Sequence, residues 1–324
     1  MPPLAPLARS ARRASRLALC TGVLAALGCD GEVLNLGSSL LQAGGAGAAA
    51  GGPRDVWTAS AQPLLPQESG LLLANPTLTA AMDELYYSAQ RRFGAPDPNR
   101  TKLMRRARDG TSWSDPSEPA LGDAMEQEVV SPAVSADGQE LWLGMNLAGS
   151  TDIYVSSRRQ GGWSTPTLVP ELSNEDYDDA PRPPAVNGTI MPLSSKRHGG
   201  PAPLYQIYLS TRASADAAWS EPSKALLGSV DSDAFQSADG FLSEDGLALY
   251  FSSTRDGEHD DSDLYLARRS SIDAAFGEPQ PLVDLNDLGG ISEERMPWLS
   301  PDGSRLYFAS DRSGQYALYV ATKR

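Results

Sequence analysis

Cysteine and histidine are nearly absent from this sequence, which has two of each among its 324 residues. Protein zinc sites draw mainly on Cys and His side chains, so the composition excludes a zinc centre built on them. Both cysteines, Cys20 and Cys29, lie near the start of the chain. The rest of the chain cannot form an internal disulfide, and its fold must be held by burial and hydrogen bonds.

Basic residues are also scarce, with 27 Lys and Arg against 41 Asp and Glu and a formal net charge of −14. Four of the arginines lie in residues 1–28, so the chain without that segment would be still more acidic. Binding to nucleic acid without sequence preference needs clustered positive charge, which this composition disfavours. Docking on anionic lipid is disfavoured for the same reason, whereas a cationic partner or a divalent cation is compatible with the charge.

The apolar run at residues 17–27 follows four arginines and is too short to cross a membrane as a helix. This arrangement predicts a secretory signal peptide over residues 1–28. The segment ends in Ala-Leu-Gly before Cys29, which resembles a bacterial lipobox, and the resemblance implies cleavage and lipidation at Cys29. The alternative is an ordinary signal peptide cut near Gly28, with no role for Cys29.

Residues 29–55 are rich in Gly and Ala and are expected to form a flexible tether, since they cannot bury enough surface to order themselves. Residues 56–324 have frequent, scattered Pro and Gly and no long helical periodicity. This pattern favours many short strands, and the length suits one all-β domain or two small ones.

One repeated unit dominates residues 56–324. Three sets of residues recur along the chain at intervals of 50 to 58 residues. The sets are Leu85, Leu141, Met191, Leu249 and Leu306; Trp57, Trp113, Trp163, Trp219 and Phe276; and Met104, Tyr154, Tyr208, Tyr265 and Tyr319. Independent sets with one period predict five copies of one unit, wrapped as a five-bladed β-propeller. An open β-array and a sixth, degenerate blade are the alternatives.

Each unit is expected to supply four strands. An apolar segment precedes an Asp-Gly pair, which suits a tight hairpin turn, and two strands rich in aromatic residues follow. A Trp-Ser-X-Pro segment such as residues 219–222 would be outermost, because Pro is tolerated on an edge strand. The last unit stops at Arg324 after its third strand, while the Trp57 segment precedes the first unit. We therefore expect the N-terminal strand to complete the last blade and close the ring.

Residues 243–255 and 300–312 share the pattern S-x-D-G-x-x-L-Y-F-x-S-x-R. This pattern resembles the WD40-like propeller repeat of the TolB type, and the resemblance implies a propeller used for binding in the bacterial envelope. TolB itself has six shorter blades after an α/β domain, neither of which is predicted here, so its partner is not carried over. A structural salt bridge is expected for the recurring arginines Arg91, Arg197, Arg255 and Arg312.

Acidic residues lie where the innermost strands of several blades begin, at one end of the expected channel. The candidate site residues are Glu128, Asp178, Asp179, Asp233, Glu293 and Glu294. Converging carboxylates could bind Ca²⁺ through their oxygens or act as the acid and base of a glycosidase; the alternative is a solvated acidic rim. Trp142 and Trp298 are candidates for stacking on a sugar.

The sequence favours a non-enzymatic, monomeric lipoprotein of the cell envelope, anchored through Cys29, that presents one propeller face to an envelope protein or a glycan. Ca²⁺ is the one cofactor considered. The alternative function is that of a five-bladed carbohydrate-active enzyme that uses the channel carboxylates.

Overall fold

The computed structural model describes residues 55–60, 62–91, 101–122, 128–146, 149–197, 204–255, 261–286 and 292–324. The expected signal peptide, Cys29 and all of the expected tether except Asp55 lie outside these residues. The described chain is all-β, with one short 3₁₀ turn at Gly228–Val230. Within the described ranges, no helix is long and apolar enough to span a membrane.

Five antiparallel sheets form the blades of a five-bladed propeller, which confirms the predicted fold class. Blade 1 contains β2 (Leu71–Leu78), β3 (Glu84–Arg91), β4 (Thr101–Asp109) and β5 (Ser112–Trp113). Blade 2 contains β6 (Glu128–Val134), β7 (Glu140–Asn146), β8 (Thr151–Arg159), β9 (Gly162–Trp163) and β10 (Thr167–Leu168). Blade 3 contains β11 (Asp179–Pro181), β12 (Ile190–Ser195) and β13 (Gln206–Thr211), with Ser223 bridging to Leu209 as its outer edge.

Blade 4 contains β14 (Ser237–Leu242), β15 (Ala248–Ser253), β16 (Asp263–Arg268) and β17 (Gln280–Pro281). Blade 5 contains β18 (Glu294–Leu299), β19 (Arg305–Ser310), β20 (Ala317–Lys323) and, from the start of the domain, β1 (Trp57–Ala59). Each blade thus runs outward from one innermost strand, and the five innermost strands are β2, β6, β11, β14 and β18.

The predicted ring closure is confirmed by the pairing of β1 with β20. Trp57 lies opposite Lys323 and Ala59 opposite Ala321 in an antiparallel register. Beyond β1, the backbone N–H of Leu64 donates to the carbonyl of Leu318 at 2.6 Å. Asp55, just before β1, forms an ion pair with Lys323 at 2.6 Å. The spare N-terminal strand therefore removes an edge that β20 would otherwise expose.

The repeated sequence positions are the core of the ring. The Leu85 set consists of the second residues of β3, β7, β12, β15 and β19, and every member is fully buried. The Trp57 set is buried as well, apart from the partly exposed Trp113. Aliphatic side chains at one position of every blade thus fill the interior, and their burial supplies most of the free energy that holds the blades together.

Candidate functional site

The five innermost strands line a central channel with two mouths. We call the mouth where these strands begin the upper mouth, and the mouth where they end the lower mouth. Midway, β2, β14 and β18 each carry an irregularity in register. Asn75, Asp239 and Met296 adopt positive φ angles of 52°, 58° and 59° at these bulges. A bulge re-aims side chains, and here it brings polar groups from several blades to the channel centre.

Arg182 crosses this centre and is 1% exposed. Its guanidinium donates to the Pro297 carbonyl in blade 5 and, at 3.5 Å, to Oδ1 of Asn75 in blade 1. Asn75 Nδ2 in turn donates to the Val130 carbonyl of blade 2 at 2.9 Å. Burial lowers the pKa of Arg182 to about 10, so it stays charged at neutral pH. Arg182, which follows β11, thus links blade 3 to blades 1 and 5 across the channel.

Asp239 and Arg295 form a second polar link, between blades 4 and 5. Arg295 Nε lies 3.3 Å from Asp239 Oδ2, which also accepts a hydrogen bond from Ser252 Oγ at 2.8 Å. The backbone N–H of Asp239 donates to Ser194 Oγ of blade 3 at 2.8 Å. The middle of the channel is therefore occupied by an interblade network.

Two of the predicted site acids, Asp179 and Glu294, are fully buried inside their own blades. Asp179 pairs with Arg197 at 2.8 Å, and Glu294 pairs with Arg312 at 3.1 Å. Glu294 also accepts a hydrogen bond from Ser310 Oγ at 2.8 Å. These two contacts match the structural salt bridge expected for the recurring arginines.

The other two recurring arginines have different surroundings. Arg255 donates to Ser237 Oγ, which occupies the position of the acid, at 3.3 Å. Arg91 ends β3 and is exposed.

Asp178 and Glu293, the residues immediately before those buried acids, are partly exposed at the upper mouth, at 28% and 35% of their side chains. Asp178 lies 2.7 Å from Lys196 Nζ and accepts a hydrogen bond from the Tyr205 hydroxyl at 3.3 Å. Burial would raise the pKa of Asp178, but Lys196, the Thr151 N–H and Tyr205 together lower it.

Glu293 repeats this arrangement in blade 5. It accepts a hydrogen bond from the Tyr316 hydroxyl and lies 3.7 Å from Arg295. Burial and the Glu293 carboxylate both raise the pKa of Tyr316. The upper mouth therefore carries two tyrosine–carboxylate pairs, each beside a cation.

The remaining two predicted acids have separate surroundings. Glu128 accepts hydrogen bonds from the backbone N–H and hydroxyl of Thr101 at 3.3 and 3.2 Å. Asp233 is fully exposed and lies 3.9 Å from Lys224 Nζ. Within the described ranges, no three Asp, Glu, His or Cys side chains are grouped so that they could hold a metal ion. A Ca²⁺ site at this rim stays a prediction.

The lower mouth contains a cavity of about 580 Å³ that the sequence did not indicate. Every blade contributes to its wall, through residues at or just after the end of each innermost strand. Phe241 and Trp298 form its aromatic side, with ring centroids 5.9 Å apart. Pro183, Leu78 and Val134 supply aliphatic surface. Its volume falls within the usual range for small-ligand sites. Trp142, the other tryptophan considered for stacking, packs edge-on against Trp219 instead.

Repeated Ser-X-Asp-Gly turns form part of the rim of this cavity. In blade 5, Ser300 Oγ donates to Asp302 Oδ1 at 2.5 Å, and the Ser304 N–H donates to the same oxygen at 3.0 Å. These hydrogen bonds lower the pKa of Asp302 to about 2. The Ser243 hydroxyl and the Leu247 N–H lower the pKa of Asp245 in the same way. Both turn carboxylates are therefore ionised at neutral pH.

Comparison with known proteins identifies the fold and no more. No protein-family model and no curated protein matches the chain. A solved glycoside hydrolase is 11% identical, with a TM-score of 0.58 and coverage of 83% of this chain and 91% of that one. A thermostable family-43 glycoside hydrolase is 14% identical, with a TM-score of 0.51 and coverage of 80% and 90%.

TolB from Acinetobacter baumannii is 15% identical, with a TM-score of 0.47 and coverage of 81% of this chain. The chain spans 56% of the length of that protein. At identities of 11% to 15%, these structures share a fold with this chain, and a shared fold does not establish a function.

Proposed function

We propose that this protein is a non-catalytic binding protein that holds a segment of an envelope protein in the lower-mouth cavity. The proposal rests on the cavity of about 580 Å³, to which all five blades contribute residues. Apolar cavities with a few placed polar groups are the usual form of a ligand site.

The chemistry of the wall favours a segment that is apolar and basic. Phe241, Trp298 and Pro183 offer surface for an aliphatic or aromatic side chain. Glu244, Asp245 and Asp302 at the rim offer carboxylates, two of them held ionised by their turns. Oppositely charged groups at a rim steer encounter and select the partner. The chain as a whole is strongly acidic, which attracts a basic segment from a distance.

Glycoside hydrolysis, the alternative function, needs one carboxyl group kept protonated at working pH beside one that is ionised. At the lower mouth, Asp245 and Asp302 both have lowered pKa values, which is the wrong direction for the acid. At the upper mouth, the partners of Asp178 lower its pKa. Burial raises the pKa of the adjacent Asp179, but that carboxyl group is fully buried against Arg197 and is closed to a substrate. The pKa directions and this burial support binding over hydrolysis.

A cavity-blocking variant tests the proposal. Ala136 lies on the cavity wall and is exposed, so Ala136→Trp should fill the site without disturbing the core. The probe is a synthetic array of hexapeptides that combine Lys or Glu with Leu or Phe. We expect the wild-type protein to bind a subset of the Lys peptides and Ala136→Trp to bind them at least about tenfold more weakly, a loss of about 1.4 kcal/mol.

The matched control is Ala215→Trp, which adds the same side chain at an exposed position outside the cavity and should leave binding unchanged. Absence of peptide binding, or equal binding by Ala136→Trp, would contradict the proposal. Turnover of aryl glycosides that is lost in Asp178→Asn would establish the hydrolase alternative instead.

We further propose that the chain is anchored in the cell envelope through Cys29, as its resemblance to a lipobox implies. Metabolic labelling with palmitate in a bacterial host should label the wild-type protein and Cys20→Ser but not Cys29→Ser. Equal labelling of Cys29→Ser, or no label on the wild type, would contradict the anchor.

A further inference from the structure

A basic residue lies at the end of the third strand of every blade, within one residue of the last strand position. Its backbone N–H donates to the carbonyl that precedes the second strand of the same blade, at 2.7 to 2.9 Å. The residues are Arg108, Arg158, Arg212, Arg269 and Lys323. The four arginines also lie over the aromatic ring of their own blade's repeat, at 4.3 to 4.8 Å. These shared contacts place the four guanidiniums at equivalent positions between neighbouring blades.

Two of these arginines reach back to a glutamate of the preceding blade. Arg158 Nη2 lies 2.8 Å from Glu84 Oε1, and Arg212 Nη2 lies 3.6 Å from Glu140 Oε2. Glu84 and Glu140 are the first residues of β3 and β7. Between blades 1 and 2, and between blades 2 and 3, the guanidinium thus has a carboxylate partner. The side chain of Arg158 is 33% exposed and that of Arg212 is 6% exposed.

The acid is missing between blades 3 and 4. The first residue of β12 is Ile190. Its carbonyl accepts a hydrogen bond from the backbone N–H five residues earlier, that of Ala185. The Glu140 carbonyl accepts the same hydrogen bond from the Ser135 N–H in blade 2. Ile190 therefore occupies the position of Glu84 and Glu140. Arg269, the arginine of this cleft, faces an aliphatic side chain where its counterparts face a glutamate.

Arg269 is nevertheless buried, with 7% of its surface exposed. Its Nε donates to the Gly246 carbonyl at 2.7 Å and its Nη1 to the Ile272 carbonyl at 2.8 Å. Its Nη2 has no hydrogen-bond partner among the described residues. Asp273 and Asp245 act on its charge electrostatically. A buried guanidinium nitrogen without an acceptor is costly, and a ligand that supplies one is stabilised accordingly.

A cavity of about 180 Å³ lies beside this guanidinium. Arg269 is part of its wall, together with the aliphatic side chains of Ile190, Leu209 and Leu226. Ile272, also on the wall, is 41% exposed. A Cβ placed on Gly246 would lie 3.3 Å from Arg269 Nη2 and 3.5 Å from Ile272 Cγ2, so both side chains lie beside Gly246. Nη2 itself is covered, so a ligand in the cavity would reach it only after a neighbouring side chain moves, and Ile272 is the exposed one.

We propose that this cleft binds a short-chain aliphatic carboxylate. The carboxylate pairs with Arg269 in place of the missing glutamate, and the hydrocarbon tail lies on Ile190, Leu209 and Leu226. The cavity is too small for a drug-sized ligand, which restricts the tail to a few carbons. None of these residues lines the lower-mouth cavity, so the inference does not depend on the function proposed above.

Butyrate is the probe, with butyramide as its uncharged counterpart. Titration of the ¹⁵N-labelled protein followed by NMR should shift the resonances of residues that line the cleft with butyrate and not with butyramide. Ile190→Glu restores the glutamate found in blades 1 and 2, so it should raise the melting temperature and weaken butyrate binding roughly tenfold or more, as expected for loss of a charged hydrogen bond.

Ile190→Met is the matched control, since it keeps the volume and adds no charge; it should bind butyrate like the wild type. Arg269→Gln is a second variant. It removes the guanidinium itself and should also abolish butyrate binding. Equal binding of butyramide and butyrate, no binding of either, or full butyrate affinity in Ile190→Glu would overturn the proposal.

Discussion

The two mouths of the channel are made from opposite ends of the same five strands, yet they use their carboxylates differently. At the upper mouth, Glu294 and Asp179 are buried against arginines, and Asp178 is paired with Lys196. At the lower mouth, Asp302 accepts hydrogen bonds only within its own turn and faces solvent above the cavity. Buried acids at the upper mouth thus stabilise their own blades, whereas the turn carboxylates at the lower mouth face solvent and are available to a partner.

The largest expected difference between the mouths is in stability. Glu294→Ala removes, from a fully buried position, the carboxylate that pairs with Arg312 and accepts hydrogen bonds from two serine hydroxyls. We expect it to lower the free energy of unfolding by about 3 kcal/mol. Asp302→Asn removes a charge that water already solvates and should have a much smaller effect. Urea denaturation of both variants measures the difference. Similar losses would remove the distinction between the two mouths.

A smaller effect is expected at alkaline pH from the two tyrosine–carboxylate pairs at the upper mouth, Tyr205–Asp178 and Tyr316–Glu293. Burial is the largest cause that raises the pKa values of Tyr205 and Tyr316 above the ordinary value of 10, and the neighbouring carboxylates raise them further. A raised pKa means that the folded protein holds the phenolic proton more tightly, so this contribution is complete below pH 10 and is lost as pH rises further. The double variant Tyr205→Phe and Tyr316→Phe should therefore lose less stability between pH 9 and 11 than the wild type.

Urea midpoints at intervals across that range provide the measurement. The control is Tyr177→Phe, which removes a tyrosine in the loop before β11 and should leave the pH dependence as it is in the wild type. Parallel curves for the wild type and the double variant would show that the tyrosine–carboxylate pairs do not contribute.

The fold could be predicted from the sequence because the repeated residues are the ones that pack in the core. Leu85 and its four counterparts are buried at one strand position in every blade, so burial imposed the period that the sequence displays. The Trp57 strand could be assigned to the last blade because the last unit lacks a fourth strand of its own. Both inferences need only the order of the elements.

The site was harder to predict because it depends on which way each side chain points. Asp178 and Asp179 are adjacent, as are Glu293 and Glu294, and successive residues of a strand face opposite sides. The sequence indicates that the two members of each pair differ, but not which one is buried, since that depends on register. The lower-mouth cavity was missed because Phe241, Trp298 and Pro183 come from three blades and meet only in the closed ring.

Hydrogen–deuterium exchange with and without a bound Lys-containing hexapeptide shows which mouth of the channel binds the peptide. We expect slower exchange at residues 241–245 and 298–303, where the lower-mouth turns would contact the peptide, and unchanged exchange around Tyr205 and Tyr316. Protection confined to the upper mouth would contradict this expectation.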